Sequence, residues 1–158
     1  MQPRDLIASA RRLVGRGRRG KPRQSDLKRT MSTAYYAMFH ALCRNCADSF
    51  IGKTPPLRSQ RAWSQAYRAV NHGYAKKQCR DRGVMERFPR DIEDFAIQFA
   101  ILQEKRHQAD YDPSKAFTRH DVLAAIDAAE AAIKKLKASN IKDQRAFAAW
   151  TVLAKRSE

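Results

Sequence analysis

The residues with the most obvious capacity for chemistry lie in LQEKRHQADYDP, residues 102–113. Arg106 and Asp110 are four apart, so on a helix they share one face and can pair, with Tyr111 beside them. Ile92, Phe95, Ala96, Phe99 and Leu102 lead up to Arg106 at helical spacing, which places a guanidinium at the inward end of an apolar stripe. An unpaired buried guanidinium is costly, so either Asp110 neutralises it in a structural ion pair or it faces a site that takes phosphate. At such a site Arg106 would stabilise the charge of a pentacoordinate phosphate. His107 adjoins Arg106 but points about 100° round the helix from it.

A second chemically distinct group is cationic. Thirty-two Lys and Arg against sixteen Asp and Glu leave a net charge of +16. Residues 11–30 contain Arg11, Arg12, Arg16, Arg18, Arg19, Lys21, Arg23, Lys28 and Arg29 against Asp26 alone, so half of the excess falls in about one-eighth of the chain. Such an excess suits a polyanionic partner, nucleic acid before membrane, because no strongly apolar amphipathic anchor accompanies it. Arg16, Arg18, Arg19, Lys21, Arg23, Lys28 and Arg29 are the candidate RNA-binding residues; a merely solvated basic face is the plainer alternative. Phosphate contacts from an Arg/Gly segment would add affinity without reading sequence.

His40, Cys43 and Cys46 invite a zinc reading, but on a helix Cys46 points about 120° away from His40 and no second CxxC follows. No metal and no cofactor are expected. Three cysteines in a chain of 158 residues do not suggest a disulfide framework. No window reaches the roughly 18 apolar residues of a membrane span, and the first residues are too short in apolar character for a secretory signal. The expectation is a soluble cytoplasmic protein.

These groups need helices to position them. Leu27, Met31, Ala34, Tyr35, Met38 and Leu42 form one stripe, widened by Phe39 and Cys46, so a helix from Ser25, its predicted N-cap, should be covered on more than one side. Tyr35 and Tyr36 point about 100° apart, and both can be buried only if neighbours lie on two sides. A short helix is predicted for Asp5–Val14, ending at the glycines of GRGRRGKPR. Another should run from Ser59 into the seventies, carrying Trp63, Ala66, Tyr67, Val70 and Tyr74 inward, followed by a basic turn at 76–83. Pro89 at a first-turn position opens the helix that carries Arg106; Ile97 and Ile101 widen its packed face, and Pro113 stops it at Asp112. Thr118 with Asp121, and Asn140 with Asp143, mark two further starts, with Val122, Leu123, Ile126, Ile133 and Leu136, then Phe147, Trp150, Val152 and Leu153, as apolar contacts. No stretch alternates with period two. The predicted class is all-α, an antiparallel four-helix bundle with additional N- and C-terminal helices: a short helix and basic arm over 1–23, the bundle over 24–137 and a last helix over 138–158.

STAYYAMFHAL at 32–42, followed by RHQADYDP at 106–113, resembles the HEPN family of helical-bundle proteins, and most closely its AYYA and R-x-x-A-D-Y subgroup. The resemblance covers roughly residues 24–137. It implies an antiparallel four-helix core, two-fold homodimers, and pairing with small nucleotidyltransferases in toxin–antitoxin or defence systems. Many members are metal-independent ribonucleases with an R-x4-6-H motif. Here Tyr111 stands where that histidine is expected. A phenol titrating near 10 rather than an imidazole near 6.5 sets about 5 kcal/mol against the base form at neutral pH. Arg68 and His72 are separated by only three residues and do not supply the motif. Three functions follow: an RNA-binding interaction module; a ribonuclease using Arg106 with His107, Asp110 or Tyr111; or a non-catalytic partner of a nucleotidyltransferase.

Overall fold

The computed structural model describes residues 1–15 and 20–157; the candidates Arg16, Arg18 and Arg19 lie outside the described residues. Among those described there are eight α-helices and no strand: α1 (Pro3–Val14), α2 (Gln24–Phe50), α3 (Gln60–Arg68), α4 (His72–Cys79), α5 (Arg82–Met85), α6 (Arg90–Tyr111), α7 (Arg119–Ala138) and α8 (Ile141–Val152), with a 3-10 turn at Pro55–Leu57. The 27-residue α2 is about 40 Å long at 1.5 Å per residue, and α1, α3, α6, α7 and α8 all pack on it. Its pattern explains this. Leu27, Met31, Ala34, Tyr35, Met38 and Leu42 are buried, and so are Ala37, Ala41, Cys43, Cys46 and Ala47, which carry burial round to other faces.

α1 and α8 are not appendages. Ile7, Ala10 and Val14 of α1, and Phe147 and Ala148 of α8, belong to the same hydrophobic cluster as α2, α6 and α7. Arg11 fastens α1 to α7 through Asp127 at 3.0 Å and Glu130 at 2.6 Å. Lys76 to Glu104 at 2.7 Å and Lys135 to Asp94 at 2.6 Å tie α4 and α7 to α6.

Several expectations are corrected. α2 has Arg23 rather than Ser25 at its N-cap, and begins two residues early because the Gln24 side chain bonds both the N–H and the C=O of Phe117, at 3.0 and 2.8 Å. Pro89 is the N-cap of α6 rather than a helical residue. The helix expected from Ser59 into the seventies is two: α3 ends at Arg68, and Asn71 restarts the chain by accepting a bond from Tyr74 N at 2.9 Å. Lys76 to Cys79 of the expected basic turn are therefore helical. Tyr36 is half-buried, whereas Ile97, Ile101 and Leu153, expected inside, are exposed.

Two helix ends form as the sequence dictates. Asp112 turns extended before Pro113 and closes α6, and Thr118 and Asp121 exchange reciprocal capping bonds at 3.0 and 2.8 Å. Cys43 and Cys46 are core residues, and burial pushes the Cys46 thiol up to about 12. Among the described residues there is no group of three or more metal-ligating side chains, and no helix long and apolar enough to cross a membrane.

Candidate functional site

The end of α6 is held against the start of α2. Lys28 Nζ donates to the Asp112 carbonyl at 3.1 Å, the Gln24 bonds anchor Phe117, and Ser32 Oγ donates to Asp110 Oδ1 at 2.6 Å. Residues 78 or more apart in sequence thus form one surface, and the basic opening of α2 lies beside the carboxyl end of the Arg106 helix.

The Arg106 side chain is only 13% exposed. Its guanidinium sits 5.3 Å from the Tyr35 ring centroid and 5.9 Å from that of Tyr36, a cation–π arrangement that contributes on the order of 1 kcal/mol in a partly desolvated setting. Nη1 reaches Asp110 Oδ2 at 3.4 Å, longer than the 2.7–2.9 Å of a strong charge-assisted bond, and Asp110 is shared with Ser32. Nε is buried with no hydrogen-bond partner. A guanidinium so loosely matched retains capacity for a second anion.

Sequence reasoning set His72 aside, because its spacing from Arg68 does not fit the R-x4-6-H motif. The break at Asn71 turns its ring into the same cluster: Nδ1 lies 2.5 Å from Tyr35 Oη, the ring stacks on Phe39 at 3.7 Å and meets Tyr36 edge-on at 6.1 Å. Burial first, then the Arg106 and His40 charges, lower its pKa, so it is neutral at pH 7. Burial raises that of the Tyr35 phenol, which keeps its proton. Among the described residues the Tyr35 hydroxyl has no other hydrogen-bond partner, so the tautomer that satisfies its proton has it donating to Nδ1. The ring proton is then on Nε2, and His72 presents a donor rather than a base. Only its histidine identity and the Asn-His-Gly cap signal could have pointed to it.

The other candidates divide. Arg106 and Asp110 are together; His107 and Tyr111 touch each other, with ring centroids 4.9 Å apart, but Tyr111 is 68% exposed, and neither reaches the cluster. Lys21, Arg23 and Arg29 are exposed, and Lys28 is half-buried by its carbonyl bond. Arg68, on α3, is exposed. Arg119, which sequence reasoning did not single out, opens α7 half-buried, its Nε and Nη2 without hydrogen-bond partners. No family model matches this chain, and no curated protein or solved structure matches it.

Proposed function

We propose that the chain is a cytoplasmic RNA-binding protein with a HEPN-like antiparallel four-helix core, serving as an interaction module of a toxin–antitoxin, stress or defence system. The observation that carries this reading is the Lys28 to Asp112 bond, which sets the start of α2, where Arg29 is exposed, beside the carboxyl end of the helix that carries Arg106. Phosphates tracked by the exposed cations then lead to a guanidinium, and to a His72 donor, that are already ordered by their neighbours. Binding should be salt-dependent. Fluorescence anisotropy with a short single-stranded RNA is expected to show affinity falling steeply between low and moderate salt, and the double variant Arg23→Gln, Arg29→Gln to lower the log–log slope by about 1.4. Affinity flat across that range, or an unchanged slope, overturns the reading.

His72 favours a second reading, metal-independent RNA cleavage. Its Nε2–H would donate a hydrogen bond to a phosphorus-bound oxygen beside the Arg106 guanidinium as the 2′-oxygen attacks and the bond to the 5′-oxygen breaks, with water taking the 2′-hydroxyl proton and returning one to the 5′-oxygen. The same RNA incubated in chelator would then acquire 2′,3′-cyclic phosphate ends, and Arg106→Ala would abolish them; intact RNA leaves binding as the function.

A further inference from the structure

Some twelve residues beyond Ser32 along α2, about 18 Å by helical rise, lies a second cationic feature that the first site does not use. A cavity of 410 Å³ opens between α2, the loop after it, the end of α7 and α8, with Arg44, Asn45, Asp48, Lys53, Arg58 and Lys137 on its walls. Four cationic side chains face one carboxylate, and that carboxylate is occupied. Asp48 Oδ1 accepts from Trp63 Nε1 at 2.8 Å and from Arg58 Nη1 at 3.4 Å.

Arg58, its side chain 10% exposed, is spent on structure: Nη1 also reaches the carbonyls of Gly52 and Lys53, each at 3.2 Å, and its guanidinium covers the Trp63 ring at 4.4 Å. Arg44 is different. It leans over the same indole at 5.5 Å, its Nε, like that of Arg58, is buried without a partner, and its side chain makes no hydrogen bond or ion pair with any described residue. Lys53 and Lys137 make no ion pair with a described residue either. The walls are preformed, since Asn45 Nδ2 bonds Gln144 O at 3.1 Å and Gln144 Nε2 bonds Leu136 O at 2.9 Å and Lys137 O at 3.2 Å.

We propose that this pocket binds a phosphate monoester, with Arg44 as the principal ligand and Lys53 and Lys137 completing its charge. A dianion matches three uncompensated cations better than a carboxylate would, and a guanidinium held by an aromatic face presents its remaining N–H fork to phosphate oxygens at little entropic cost. The volume admits a phosphate with an attached sugar. The source is either a free nucleotide or the 5′ end of an RNA, and the two are separable.

Trp63 is the reporter. In a Trp150→Phe background it is the sole tryptophan, since the chain has two; isothermal titration of the unmodified protein is the parallel measurement should that variant fold poorly. Inorganic phosphate, uridine 5′-monophosphate, and a short RNA with either a 5′-phosphate or a 5′-hydroxyl are titrated at constant ionic strength. Saturable binding of phosphate and the nucleotide, weakened about tenfold or more by Arg44→Gln, is the expected result. A 5′-phosphorylated RNA at least about tenfold tighter than both its 5′-hydroxyl counterpart and the nucleotide assigns the site to RNA ends; equal RNA affinities with tight nucleotide binding assign it to free nucleotides. A response indistinguishable from that to chloride, or unchanged in Arg44→Gln, overturns the proposal. Because the nucleotide is read directly, this outcome is independent of whether the salt-dependent RNA binding at the other end of α2 holds.

Discussion

His72 shows how a single ring can couple acid titration to stability. Its pKa is lowered in the folded protein, chiefly by burial, and that of His40, hydrogen-bonded to Tyr67, is lowered by the same cause. As pH falls through about 6.5 the unfolded chain takes up protons that the native one refuses, so stability is present above that pH and is lost below it. Thermal unfolding between pH 7.5 and 5 should therefore show Tm falling on the acid side, less steeply in His72→Gln. Nuclear magnetic resonance titration should place His72 below the ordinary histidine value and move it upward in Arg106→Ala, because the Arg106 charge is the second cause of the shift; an unmoved midpoint would separate the two residues. At this scale the sequence was half legible. The Arg106 to Asp110 pair follows from four-residue spacing on one helix, but His72 enters from a different element, and no periodicity encodes which way a chain turns after a break.

Among the elements, α7 offers the cleanest test. Thr118 satisfies an orphan N–H at its start, and the loop before it, residues 112–118, carries the three backbone groups that Lys28 and Gln24 grip. Thr118→Ala should cost about 1 kcal/mol in urea denaturation, with Thr118→Ser restoring most of it. A full restoration by Gly but not Ser would point to backbone conformation rather than to the side-chain bond. This cap, the Asn140 cap and the stop at Pro113 were readable because each rests on local chemistry. The α3–α4 break was not, since Ala69 and Val70 carry no glycine or proline signal; in the structure Asn71 decides it. The start of α2 was misread for the opposite reason, because a distant partner, Phe117, overrides the local preference for Ser25 as cap.

For the molecule as a whole, the all-helical class and the centrality of α2 follow from apolar stripes too wide for one neighbour. What periodicity could not show was where burial stops. Ile97 and Ile101 continue the α6 stripe yet are exposed, and Ile97 lines a shallow cleft with Ala128 and Ala131 of α7. A homodimer of the kind the family resemblance implies would close on this face. Light scattering should return twice the chain mass, and Ile97→Glu with Ile101→Glu should return the monomer with helicity intact. With +16 per chain, the dimer should also loosen at low ionic strength, where like charges are least screened. A parent protein monomeric at every concentration and salt would remove the dimer from this reading.

Because Val14 and Leu27 are both sunk in the same core, the chain leaves α1 and enters α2 at fixed points. Lys21 and Arg23, both exposed, lie within three residues of Gln24, so no more than about 11 Å of backbone separates either from the head of α2. A polyanion gripped by those two cations would therefore have to pass close to Arg29 as well.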